Sequence, residues 1–390
     1  MQYNFDEQID RRNTNSYKWA VGSDELPMWV ADMDFRTAPE VTTVLQQRLA
    51  QDAFGYTIVP ESFNQSIIKW WEKRHQFKIE PEWVLFCTGV VPAISSIVRK
   101  LTNEGDSIVL LTPVYNIFFN SVVNNHRVVL ESPLEYNGSE YDINFFDLEE
   151  KLSQQKTKML ILCNPHNPIG KVWGRETLSK IGALCVKYNI LMLSDDIHCD
   201  LVHAGSSYTP LAAINEEIAG KTIMCLSATK AFNLAGLQTA AIVVSDSKLR
   251  KQIERGINTD EVAEPNVFAV QAMQAAFDHG EPWLKALNAY LTTNREYLIN
   301  YISKELLAMR YVPSEATYLA WLDCSSITED TKTLCRFIRE KTGLFLSEGD
   351  MFGGNGHRFI RLNYACPFSV LQDGLKRLKK GVEMFVDAEL

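Results

Sequence analysis

MLILCNPHNPIGKVWGRETLSKIGALCVKYNILMLSDDIHCDL, residues 159–201, decides how the rest of the chain is read. An apolar run, Met159–Cys163, stops at a turn crowded with Asn and Pro. A helical pattern follows, Arg175–Tyr188, with Leu178, Ile181 and Leu184 (and Cys185 beside it) on one stripe, the spacing of a helix laid on a sheet. A second apolar run, Ile190–Ser194, then delivers two adjacent acids, Asp195 and Asp196. Runs this continuously apolar suit strands buried on both faces. Working outward, the same kind of run recurs at Trp83–Cys87, Ser107–Leu111, Val128–Glu131, Thr222–Leu226 and Thr239–Val244. Strands alternating with amphipathic helices predict an α/β architecture, a mainly parallel seven-stranded sheet flanked by helices, over residues 46–285.

The flanks read differently. Glu281–Leu306 is a long helical pattern leaving the sheet. Two short strand candidates follow, Thr317–Leu322 and Arg358–Asn363, and a terminal helix from about Ser369 to Phe385. A smaller α+β domain is expected there, built from residues 1–45 and 286–390. The chain has 390 residues, 46% of them hydrophobic and 22% charged, enough apolar material for a large core. A net charge of −9 argues against a nucleic-acid surface. Eight scattered cysteines, none spaced as C-x-x-C, fit buried thiols in a reducing compartment better than disulfides or zinc. The polar N-terminus lacks a signal-like apolar stretch, and no run reaches the ~20 residues that span a bilayer. A cytoplasmic enzyme, with no membrane or nucleic-acid partner and no metal, is the expectation.

Chemistry-bearing residues gather where the strands end. In CLSATKAFNLAGLQTAAIVV, residues 225–244, Lys230 lies just past an apolar strand, at the rim where α/β sheets bind ligands. Desolvation there lowers an amine's pKa and makes it a nucleophile. Ser227 and Thr229 are placed to hydrogen-bond an anion. Taken singly, Lys230 reads more readily as a solvated loop lysine. In NPHNPIG, residues 164–170, the Asn side chains can donate and accept at a strand end, and the Asn–Pro bonds there can be cis; a plain strand-to-helix turn reads as well. Asp195 is costly to bury without a cation or hydrogen-bond donors, and a protonated ring nitrogen would serve. Helix capping by Asp195, or a metal held by Asp195, Asp196 and His198, remain open on the residues alone. Around Gly89, in FCTGVVPAISSIVRKL (86–101), a strand passes into a helix opening near Val90–Pro92, whose free N–H groups can form an anion site; many plain strand-to-helix turns look alike.

In this order the four segments resemble the fold-type I pyridoxal-phosphate (PLP) enzymes, the class I/II aminotransferase-like superfamily, over essentially the whole chain. The resemblance implies that Lys230 carries PLP as a Schiff base and that Asp195 keeps the pyridine nitrogen protonated. It implies that Asn167 bonds the phenolic oxygen, with His198 near it. Ser227, Thr229 and the backbone of Val90 and Val91 hold the phosphate, and Tyr115 stacks on the ring. Tyr56 would reach the cofactor of a neighbouring subunit, implying a homodimer with shared active sites. Arg361, in RFIRLNYACP, would clamp the substrate carboxylate with its bidentate fork.

LPMWVADMDF (26–35), TGVVPAIS (88–95), TPVYNIFF (112–119), SDDIHCDL (194–201) and SATKAFNLAGL (227–237) look like one branch, the cystathionine β-lyase/cysteine–sulfur lyases. The chain departs from that pattern at Asp196, where the group usually has Glu, and at Asn116, where some members carry a second Tyr. The branch implies α,β-elimination of L-cystathionine or related cysteine S-conjugates to pyruvate, ammonia and a thiol. An aminotransferase shares every cofactor residue and is the alternative; a regulatory protein retaining the fold is a third reading. Trp29, Asn116 and Phe352 are candidate pocket walls.

Overall fold

The structure, a computed structural model, describes residues 3–389; residues 1, 2 and 390, at the outer ends of the expected smaller domain, lie outside it. Seven strands form the principal sheet: β1 (Val84–Cys87), β2 (Ser107–Thr112), β3 (Val128–Pro133), β4 (Thr157–Cys163), β5 (Leu191–Asp195), β6 (Thr222–Leu226) and β7 (Ala240–Val243). Their order across the sheet is β1-β7-β6-β5-β4-β2-β3. Strand β7 alone runs antiparallel, to both β1 and β6. The α/β architecture read from the alternating runs is the one observed.

Continuous apolar sequence is explained by burial on two sides. Ile108, Leu110, Ile161, Leu193 and Ile223 pack with Ile94, Ile97 and Val98 of the helix Val90–Leu101 and with Ile253 and Ile257 of Ser247–Thr259. Their neighbours Val109, Leu111, Leu160, Leu162 and Met192 point the other way, onto Leu178, Ile181 and Cys185 of Arg175–Lys187. Successive residues of a strand face opposite sides, so a strand covered twice carries no polar alternation.

A second sheet, all antiparallel, holds β8 (Arg310–Tyr311), β9 (Leu319–Asp323), β10 (Ser347–Glu348) and β11 (Phe359–Asn363) in the order β8-β9-β11-β10. Leu26–Pro27 pairs in parallel with Leu344–Phe345 in a separate two-stranded sheet, tying the N-terminal segment to the chain just before β10. The positions 45/46 and 285/286 each fall inside a helix, Pro39–Leu49 and Glu281–Glu305. Pro39–Leu49 packs on Ala269–His279, beside the principal sheet. Two of the strand starts that differ from the sequence reading do so for local reasons. Trp83 closes a 3-10 turn begun by Pro81, so β1 starts at Val84. Thr317 has φ of 74°, outside the extended region, so β9 starts at Leu319. All eight cysteines are free and buried. Among the described residues no helix is long and apolar enough to cross a membrane.

Candidate active site

The carboxyl edges of β4, β5 and β6 lie level, because Cys163 pairs with Asp195 and Asp195 with Cys225. The end of β1 reaches the same edge through its antiparallel partner, Cys87 standing opposite Ala240. Side chains that follow these ends therefore converge. They enclose a cavity of about 240 Å³ lined by Val90, Val91, Tyr115, Asn167, Asp195, His198, Thr229 and Lys230.

Lys230 places its amine 2.6 Å from the carbonyl of Ala31. Burial pulls its pKa down to about 8; Asp32 and Asp195 pull it up and Arg361 opposes them. A larger share of the amine is thus neutral near pH 7 than in a solvated lysine. Asp195 is the last residue of β5, and its carboxylate accepts one hydrogen bond, from the Ile197 N–H at 3.1 Å. Burial raises its pKa to about 7, so a cationic partner in the cavity would stabilise its charged form. The acid pair divides: Asp196 turns away and accepts the hydroxyls of Tyr208 at 2.7 Å and Ser194 at 2.8 Å. His198 is buried with Nδ1 unpartnered, and burial, with Lys230 and Arg361 nearby, lowers its pKa to about 3, leaving a neutral imidazole.

Arg361, on β11, stands in register with Trp321 of β9 and Ser347 of β10. Its Nη1 donates to Asn167 Oδ1 at 3.0 Å and its Nη2 to the Trp29 carbonyl at 2.9 Å. Its Nε is buried with no partner, and burial drops its pKa to about 10. A buried guanidinium with an unspent donor is able to receive a carboxylate. Arg361 is not itself part of the cavity wall but reaches it through Asn167. Both Asn–Pro bonds of the 164–168 turn are cis.

Other expected positions lie farther off. Ser227 stands behind the wall, its hydroxyl 2.6 Å from the Thr239 carbonyl and 2.9 Å from Thr229 Oγ1. Tyr56 is fully exposed, on a segment where Phe54 and Ile58 are exposed too. Asn116 precedes the helix Ile117–Val123 without a side-chain capping bond. Phe352 is fully buried beneath the Arg361 guanidinium, 4.8 Å from ring centre to charge, a support rather than a wall. Trp29 contributes its carbonyl to Arg361, and its ring stacks on Phe345 at 4.6 Å. Sequence reasoning missed Ala31, Gln238, Thr239 and Tyr318. The first three come to the cavity from loops, and the Tyr318 hydroxyl donates to Ala31 at 3.0 Å. No motif marks a backbone carbonyl; a lone buried Tyr ahead of β9 was the one available signal.

These donors fit a phosphorylated, cationic ring cofactor. The helix Val90–Leu101 begins after Gly89 with no side-chain cap, leaving the Val90 and Val91 N–H groups for an anion. Thr229 adds a hydroxyl, Asp195 a carboxylate in need of a cation, and Lys230 a nucleophilic amine.

The family model for aminotransferases of class I and II matches residues 25–378. Cystathionine beta-lyase PatB of Bacillus subtilis (strain 168) is 38% identical over 382 residues, 96% of this chain and 99% of that protein. A PLP-bound putative aminotransferase from Clostridium difficile 630 superposes with a TM-score of 0.95 at 38% identity, covering 98% of this chain and 100% of that one. The PLP-bound C-S lyase of Staphylococcus hominis, solved with the inhibitor L-cycloserine, gives a TM-score of 0.91 at 33% identity and 98% coverage of both chains.

Proposed function

The chain belongs to the class I and II aminotransferase family, and from that premise we propose that it is a PLP-dependent carbon–sulfur β-lyase. Its substrates are L-cystathionine and related cysteine S-conjugates. With water these give pyruvate, ammonia and a thiol: homocysteine from cystathionine, hydrogen sulfide from cysteine. The observation that carries the reading is the Lys230 amine, lowered to about 8 and set in a cavity opposite a buried, under-bonded Asp195.

Thr229, the Val90 and Val91 N–H groups and Tyr56 of the partner subunit would hold the phosphate, with Ser227 bracing Thr229 from behind. Asp195 would pair with the ring nitrogen, Asn167 and the neutral His198 would lie at the phenolic oxygen, and Tyr115 would cover the ring face. When bound, PLP supplies an electron sink for the pair left at the substrate Cα. Arg361 would take the substrate carboxylate and so orient the Cα–H bond. Lys230 removes that proton and holds it on Nζ. The β-thiolate is a good leaving group, so elimination follows rather than reprotonation elsewhere.

Residues 46–285 make up the cofactor-binding unit in this reading, and 1–45 with 286–390 a smaller unit that contributes Ala31 and Arg361. Eight free buried thiols support a cytoplasmic setting. The exposed Phe54, Tyr56 and Ile58 support a homodimer. The test is an assay of the PLP-loaded protein with cystathionine and with cysteine, no keto acid added. Pyruvate and thiol released together support the lyase. Turnover only with a keto-acid acceptor means an aminotransferase. Lys230→Ala is expected to lose the cofactor's visible absorption band and nearly all turnover.

A further inference from the structure

Ala31 offers one carbonyl oxygen to two donors. Lys230 Nζ lies 2.6 Å from it and the Tyr318 hydroxyl 3.0 Å. That oxygen cannot swing aside, because the peptide groups around it are pinned from several directions. Asn363 Nδ2 donates to the carbonyls of Val30 and Asp32, both at 2.6 Å. Trp29 O receives Arg361 and Ser347. Met33 exchanges two bonds with Asn233, three residues beyond Lys230. Arg11 grips both oxygens of Asp32, and the buried Lys18 bonds the Asp32 carbonyl at 3.2 Å. Tyr318 itself is fully buried.

A carbonyl has two lone pairs, and here both are engaged. Hydrogen bonding to an ammonium favours the charged form of an amine. A hydroxyl proton on the same oxygen draws off part of its negative charge and sits close to the ammonium. We propose that Tyr318 is a positioning residue for the lyase reaction: by occupying half of the Ala31 acceptor it fixes where the free Lys230 amine rests and limits how firmly its charged form is held. The inference rests on Lys230 being the cofactor-binding amine. The consequence is that Lys230 returns its proton readily, and is neutral often enough to capture the cofactor. Other charged or titratable groups around the amine are Asp32, Asp195, Arg361 and the neutral His198. They stay in place when Tyr318 alone is changed, so they cancel in the comparison.

The experiment measures PLP capture by apo-protein, followed by absorbance between about pH 6.5 and 9.5. The wild-type rate is expected to rise with pH through a midpoint near 8. Tyr318→Phe keeps the ring and frees the lone pair. Its midpoint is expected to move up by roughly half to one pH unit, slowing capture at pH 7 by about three- to tenfold. Replacing Tyr318 with 3-fluorotyrosine, a stronger donor of nearly the same size, is expected to move the midpoint down, and covers the case in which the Phe variant does not fold. In the loaded enzyme Tyr318→Phe is expected to lower kcat several-fold with KM little changed. Unmoved midpoints, or a downward shift in the Phe variant, overturn the role of Tyr318 and leave the lyase reading standing. Capture by Lys230→Ala as fast as by the wild type overturns the assignment of Lys230 itself.

Discussion

At the scale of single residues, chemistry follows burial. Asp195 and Asp196 are neighbours with the same formal charge, and burial raises both to about 7. One is left short of donors in a cavity; the other is tied to Tyr208 and Ser194. A carboxyl whose folded pKa is raised binds its proton more tightly folded than unfolded. Its ionisation therefore costs stability progressively as pH rises from about 4 to 7. Asp196→Asn removes that term. The urea midpoint of the apo variant, relative to wild type, is expected to climb as pH goes from about 5 to 8; a constant difference would show that Asp196 is not buried as a proton-holding acid. The identity of both acids was plain in SDDIHCDL, but which one faces the cavity was not. Alternation along a strand assigns opposite sides only once the strand's last residue is known, and β5 proved to include Asp195.

At the scale of elements, the turn after β4 does more than reverse the chain. Gly170 has φ of 69°, its N–H bonds the His166 carbonyl, and its carbonyl receives the N–H groups of Glu315 and Ala316. A Cβ there would lie 2.5 Å from Ser314 Cβ and 2.9 Å from the Ala316 carbonyl. Gly170→Ala must strain the backbone and displace a neighbour, costing about 1–3 kcal/mol in unfolding free energy. Because the same turn presents Asn167 to Arg361, KM for the amino-acid substrate is expected to rise as well. A stability within about 0.5 kcal/mol of wild type would contradict this packing. The strands and helices around the turn were legible from periodicity, with the helix over 175–187 matching its apolar stripe to within one residue. The glycine's second contact was not, since it joins positions more than 140 residues apart.

At the scale of the whole molecule, the exposed Phe54, Tyr56 and Ile58 are the part that a single chain leaves unexplained. If Tyr56 completes the partner's site, Tyr56→Ala and Lys230→Ala fail in different halves of that site. Mixed dimers made from the two crippled variants would each contain one intact site. Random re-association makes about half the dimers mixed, so activity is expected to return to about a quarter of the wild-type value. The check is to co-refold differently tagged variants and assay pyruvate both in the whole mixture and in isolated mixed dimers, which are expected to reach about half of the wild-type value. Mixed dimers with no regained activity would mean that the sites are not shared.

By itself, the sequence determined the α/β sheet and the carboxyl edge where chemistry collects, and its resemblance to the PLP enzymes singled out Lys230, Asp195, Asn167 and Arg361 as candidates. The sheet and its edge follow from apolar periodicity and from the cost of burying polar groups, both local properties of the chain. Only the tertiary structure decided that Arg361 bonds Asn167, that Ser227 stands behind Thr229, and that the Ala31 carbonyl meets both Lys230 and Tyr318. Those contacts link residues far apart in the chain, and the last is made by a backbone oxygen that every residue type carries. Nothing in the identity of residue 31 announces it; only the fold brings that oxygen to the amine.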